Sequence, residues 1–271
     1  MTLENEVLIL WMAVIAFTLA GSVAVISLLF KRLAERGVLW LMLAGIGLLT
    51  LAITLRWVRL GHGPFVTMFE ILLSNAWSLS LVFIIAYWRI RQIRPIAAVL
   101  MPVFFIMLGW MMFQHKGEAS LPPTYNTIWL YIHIGLGKVF LGATLVAVGL
   151  AVVILLRRAG SQSWFSSMPG NSSLDELAYR FLSVGLVFDS LMLVSGAIWA
   201  QDAWGRYWAW DPLETWAFIT WLFLAFSIHA RLTLKPHPTY SAIMVLGVFI
   251  LGFLTFFGIP FVSMAPHKGM V

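Results

Sequence analysis

Apolar runs long enough to cross a bilayer fill most of this sequence, and they leave few folds open. A helix needs about 20 apolar residues to span a hydrocarbon core of roughly 30 Å. Runs of that kind lie near Val7–Phe30, Val38–Leu55, Met68–Trp88, Ile96–Phe113, Ile128–Leu156, Phe181–Ala200, Leu213–Ile228 and Ser241–Ile259. The seventh is short and is interrupted by Glu214. The first is too long for a cleaved signal and lacks a basic leading region, so it reads as a spanning helix. A soluble domain would need a charged shell, yet only 10% of the 271 residues are charged and 61% are hydrophobic. The predicted fold is an all-α, polytopic membrane protein of about eight transmembrane helices, taken as one transmembrane domain over residues 1–271.

The formal charge of +6 does not point to nucleic acid, because the basic residues sit in short loops between apolar runs. There they act as topology signals. The loops after the odd-numbered helices hold Lys31, Arg32, Arg36, Arg89, Arg91, Arg94, Arg157, Arg158, Arg180, Arg231 and Lys235. The opposite side holds Arg56, Arg59, Lys116, Arg206 and Lys268, and Lys138 lies within a helix. The richer side is read as cytoplasmic, which puts both termini outside. Residues 159–177, rich in Ser, Gly and Asn, read as a flexible linker, with Asp175 and Glu176 just before the sixth helix, where carboxylates suit a helix start. The outer loop Gln114–Thr127 contains Pro122 and Pro123 and is not helical throughout. With 0 cysteines, disulfides, thiol chemistry and thiolate metal sites on this chain are excluded.

One outer stretch, 199–216, differs from the rest: Trp199-Ala-Gln-Asp-Ala-Trp204-Gly-Arg206-Tyr207-Trp208-Ala-Trp210-Asp211-Pro212-Leu-Glu214-Thr-Trp216. Indole rings gather at membrane interfaces in any case, and that accounts for two or three Trp at a helix end. It does not account for this density beside Gly205, Asp211 and Pro212. The reading that does is a platform of flat aromatic faces for a large, flat, apolar ligand, for which a porphyrin is suited. Arg206 is placed to meet an anionic group such as a propionate. Asp211 is placed to cap the helix that Pro212 opens.

The six histidines are His62, His115, His133, His229, His237 and His267. His62, His115 and His267 fall in outer segments, and His133 lies about a turn inside the fifth helix on the outer side. His229 ends the seventh helix on the cytoplasmic side, with His237 in the loop beyond it. Two outer histidines beside an aromatic platform fit bis-imidazole ligation of haem iron. A lone interfacial histidine is more often a hydrogen-bonding tip, but His133 gains weight from lying within a helix on a face with Trp129 and Gly137. Glu70, Lys138 and Asp189 are further intramembrane candidates, with an ion pair or hydrogen bond that fixes helix packing as the plainer reading for each.

Trp204-Gly-Arg-Tyr-Trp208-Ala-Trp210-Asp211-Pro212-Leu-Glu214-Thr-Trp216 resembles the tryptophan-rich WWD signature of the CcsA/ResC family, the haem-handling proteins of cytochrome c biogenesis (system II). The likeness extends from Ser195-Gly196-Ala197 to Ile228-His229-Ala-Arg231. It returns at Gly61-His62-Gly-Pro64, with Glu70 and Trp77 following, and at Trp129-Leu-Tyr-Ile-His133. The resemblance implies haem held outside by two axial histidines, His133 and His267, beneath an outer WWD loop made of Trp204, Tyr207, Trp208, Trp210, Asp211 and Trp216. It also implies that His229 meets incoming haem on the cytoplasmic side. The partners implied are a CcsB/ResB membrane protein and apocytochrome c, whose Cys-x-x-Cys-His motif receives reduced haem b. The chain would then be part of a holocytochrome c synthase, acting by presentation with no catalytic side chain. Its location would be the bacterial plasma membrane, or the thylakoid membrane if plastid-encoded. The alternatives are a b-type haem or quinone-linked respiratory subunit, which needs facing histidine pairs at both depths, and a transporter with Trp gates.

Overall fold

The computed structural model describes residues 3–30 and 34–259. Eight α-helices follow one another: α1 Leu3–Leu29, α2 Glu35–Leu60, α3 Met68–Arg89, α4 Ala97–Phe113, α5 Ile128–Arg158, α6 Asn171–Trp204, α7 Pro212–Thr233 and α8 Pro238–Phe253. A 3₁₀ segment, Arg91–Ile96, leads into α4, and a π-helical turn, Leu254–Gly258, extends α8. There is no strand among the described residues. Among the described residues, eight spans, counting those two extensions, are long and apolar enough to cross a membrane. The chain is therefore all-α and multi-pass, as its hydropathy predicts.

Two compact units form, one from Met1–Ser120 with Leu156–Pro169 and the other from Leu121–Leu155 with Gly170–Val271. In the first, α1 packs on α2 and α4, and α3 packs on α2 and α4. A buried charge network ties one end of this unit together. Arg56, 1% exposed, donates from Nε to Glu70 Oε1 at 2.9 Å and from Nη2 to the Gly117 carbonyl at 3.0 Å. Glu70 is itself spent on the start of α3. Its Oε2 accepts from Val66 N at 3.0 Å and Thr67 N at 3.3 Å, while Thr67 Oγ1 accepts from Glu70 N at 3.2 Å. Such a capping box satisfies backbone donors that a helix start leaves over. Arg59 pairs with both Glu6 and Glu118. For Glu70 the plainer reading, an ion pair that fixes helix packing, is the observed one.

The connector after α5 is more ordered than its composition predicts. Arg157 donates to the carbonyls of Phe165 at 2.5 Å, Pro169 at 2.6 Å and Met168 at 3.0 Å, and Phe165 is 1% exposed. One guanidinium satisfies three carbonyls that a loose linker would leave to water. The helix after it starts at Asn171, well before the expected Phe181. Asp175 and Glu176 thus lie within α6, where Asp175 Oδ2 accepts from Arg231 Nε at 2.6 Å. With 34 residues α6 is about 50 Å long, more than the roughly 30 Å hydrocarbon core requires. It carries polar residues at both ends.

In the second unit α6 packs on α7 and α8, and α7 on α8. The fifth helix lies antiparallel against α6, with His133 bonded to Met192 and Thr144 beside Gly185. Thr220 of α7 and Thr255 of the π-helical turn share a buried hydrogen bond at 3.0 Å.

Candidate functional site

The irregular part of the Trp-rich stretch is only Gly205–Asp211, because α6 runs on through Trp204 and α7 begins at Pro212. Each end of this loop has a local cause. Gly205 ends α6 in the left-handed region at φ 74° and donates its N–H to Gln201 O, a conformation that favours glycine. Asp211 is the N-cap of α7: its Oδ1 accepts from Glu214 N at 2.9 Å, and Pro212 takes the first helical position, where its missing N–H costs nothing. Glu214, 9% exposed, reaches back to accept from Ala209 N at 2.7 Å. Its carboxylate therefore ties the loop to the helix that follows.

Between these two residues, Trp210 has φ 58°, a left-handed conformation unusual for a bulky side chain. Strain of this kind persists only where surrounding contacts hold it, and it gathers at functional sites. Here Trp210 meets Trp208 edge-on at 5.5 Å, and both rings meet Phe218 edge-on. Phe218 stacks in turn on Trp221, whose Nε1 donates to Ser190 Oγ at 2.8 Å.

Under this loop lies a cleft lined by residues of α5, α6, the loop and α7, among them His133, Gly196, Trp199, Tyr207, Trp208 and Glu214. His133 Nδ1 sits 2.9 Å from the Met192 carbonyl oxygen. A carbonyl only accepts, so Nδ1 must donate, and in the neutral ring the lone pair is then on Nε2. This is the usual arrangement of a metal-binding histidine. The imidazole approaches α6 so closely that a Cβ on residue 196 would fall 2.7 Å from Nδ1. Any side chain there would force the ring or the helix to shift. Trp199, 2% exposed, lies nearly parallel to the imidazole at 11° and 6.3 Å. The Trp208 Nε1 is buried and has no hydrogen-bond partner among the described residues. A buried N–H left without an acceptor is costly, so this donor suits a ligand that brings an acceptor.

A family model described as cytochrome C assembly protein matches residues 65–267. The chain belongs to the cytochrome c assembly protein family.

Relatives agree with this membership. The chain is 29% identical over 280 residues to the cytochrome c biogenesis protein CcsA of Helianthus annuus, covering 87% of this chain and 85% of that one. It is 26% identical over 261 residues to CcsA of Arabidopsis thaliana, covering 79% and 80%. Among solved structures, cytochrome c haem lyase CcmF matches with a TM-score of 0.70 at 20% identity. That match covers 97% of this chain but only 47% of CcmF, and it speaks to fold alone. Family and relatives assign the chain a role in cytochrome c biogenesis.

In this member of the assembly family, the residues singled out from sequence are partly brought together. His133, Tyr207 and Trp208 line the cleft, with Trp210 beside Trp208 at its rim. Trp204 stands behind the cleft, edge-on to Trp199 at 5.1 Å. Asp211 is buried as the cap, and Arg206 is exposed on the loop. Trp216, half-buried on α7, is not among the lining residues. His229 is exposed near the far end of α7, about 25 Å from that helix's start. His62 turns both ring nitrogens to carbonyls, Gly63 O at 2.9 Å and Ala119 O at 2.7 Å, so it serves packing. His237 caps α8. His267 lies outside the described residues.

Sequence reasoning passed over three contributors: Glu214 as the loop's tie, Gly196 as the space for the imidazole, and Tyr125. A carboxylate three residues after an Asp-Pro helix start is a capping signal that pointed to Glu214. No periodicity marks Tyr125.

Proposed function

We propose that the chain holds haem b at this cleft and presents it to apocytochrome c for covalent attachment. The observation that carries the reading is the His133 imidazole, oriented by Met192 O and Gly196 beside an indole-lined cleft whose Trp208 N–H lacks an acceptor among the described residues. The cleft has a cavity volume of about 40 Å³, room for a few waters. A porphyrin would therefore lie across its mouth, against the exposed faces of Tyr207 and Trp210, unless residues 205–211 lift.

In this reading His133 and His267 are the two axial ligands and Arg206 meets a propionate. The site faces outside, as do both termini, in a bacterial plasma membrane or a thylakoid. His229, at the opposite end of α7, serves haem on the cytoplasmic side together with a CcsB/ResB partner. Attachment needs no catalytic side chain from this chain. Each cytochrome thiol adds its sulfur and its hydrogen across one vinyl group, so nothing is oxidised or reduced in forming the thioether. Holding both partners in place supplies the rate as effective molarity.

A respiratory b-type subunit would use facing histidine pairs inside the bundle. His229 is exposed and His237 is a helix cap, so neither favours that reading. The deciding experiment is His133→Ala in cells that carry the partner and a reporter cytochrome. Co-purifying haem and holocytochrome yield should both fall. Unchanged haem and unchanged yield would refute the reading.

A further inference from the structure

Tyr125 lies in a turn that Pro122 and Pro123 open, with its N–H donating to Pro122 O at 2.9 Å. One residue on, Asn126 Oδ1 accepts from the Tyr131 hydroxyl at 2.9 Å, which ties the turn to the start of α5. From this anchored position Tyr125 meets the wall behind the cleft in three ways. Its carbonyl accepts from Trp199 Nε1 at 3.0 Å, and its hydroxyl accepts from Trp204 Nε1 at 2.9 Å. Its ring meets both indoles edge-on, at 5.5 and 5.9 Å between centroids.

The hydrogen bond to Met192 fixes the direction of one ring nitrogen of His133, but the ring can still swing about that line. The walls beside it limit the swing, and Trp199 is the large one. An indole on a helix end turns about two side-chain torsions unless its N–H is held. Here Tyr125 holds it, and Trp204, edge-on to Trp199 and held by the Tyr125 hydroxyl, blocks its other way out. Groups that lock the orientation of a metal-binding imidazole tune the metal as well as the affinity.

We propose that Tyr125 is a positioning residue for the haem-binding imidazole of His133, acting through Trp204 and Trp199. The inference rests on the reading of His133 as an axial ligand. Tyr125 touches no haem atom in this scheme. It sets the plane of the ring that does, and so the spectrum and potential of the iron.

The test uses the full chain purified with its haem, as parent, Tyr125→Phe, Trp204→Phe and the double variant. Tyr125→Phe keeps the ring and the backbone carbonyl and removes only the hydroxyl. Each single variant should shift the electron paramagnetic resonance of the low-spin ferric haem and its midpoint potential in the same direction. Each should also weaken haem retention about fivefold, the equivalent of one hydrogen bond of ~1 kcal/mol. The double variant should shift no further than the singles, because both changes remove one interaction. If Tyr125→Phe does not survive purification, Trp204→Phe decides alone. A haem-loaded parent with variants unchanged in signal and potential would overturn the role of Tyr125 and leave the His133 reading standing. A parent with no haem would overturn both.

Discussion

His133 Nδ1 lies 2.9 Å from the main-chain oxygen of Met192, one turn of α6 before the glycine whose missing side chain makes room for the ring. Two helices that run antiparallel thus supply the parts of one device: an imidazole from α5, and from α6 an acceptor that sets its tautomer and a gap that admits it. The aromatic loop then closes over the same end of the unit.

The gap is the most exposed point of that device. Gly196→Ala would place a methyl group 2.7 Å from Nδ1, so either the ring or the helix must move. Overpacking of this kind costs about 1–3 kcal/mol. Haem co-purifying per mole of protein should fall at least about fivefold, measured as pyridine haemochrome, with the variant still inserted and eluting as a single species.

Loop geometry depends on the cap. Asp211→Ala removes the acceptor for Glu214 N and should cost about 1 kcal/mol, while Asp211→Asn should keep most of it. Limited proteolysis in detergent would show faster cutting within 205–211 for the alanine variant and near-parent cutting for the asparagine variant. Equal protection in both would mean that the Trp-rich loop is held by other contacts.

In the first unit the Arg56–Glu70 pair is structural, and its loss should show in stability first. Removing one partner of a buried pair costs about 3–5 kcal/mol, whereas replacing both with apolar residues is often close to neutral; without Glu70, Arg56 would keep only its longer contact to Glu6 at 3.7 Å as an ion pair. Glu70→Leu should lower the unfolding temperature in detergent sharply, and Arg56→Met with Glu70→Leu should recover much of the loss. A double variant no better than the single would show that the ties to Gly117 and to the start of α3 matter more than the charge pair.

Much of this architecture was legible because lipid imposes strong rules. Apolar runs such as Ile128–Leu156 had to be helices, and α5 was found within two residues of that expectation. The Asp211-Pro212 pair announced a helix start by chemistry that depends on nothing distant. The expected linker 159–177 was misread because composition cannot foresee one arginine gathering three carbonyls. The same limit hid the early start of α6. Glu70 could equally have been a functional carboxylate, and only its contacts with Arg56 and the start of α3 decide the matter. Tyr125 was invisible for a related reason: its role comes from two indoles 74 and 79 positions away in the chain.

The most direct measurement is the absorption spectrum of purified parent and His133→Gly protein, made with ample haem and read with and without added imidazole. The parent should show a low-spin haem spectrum and the variant loss of haem or a high-spin spectrum, with the low-spin bands returning when imidazole fills the space left by the side chain. A variant with the parent's spectrum and haem content before any imidazole is added would contradict it.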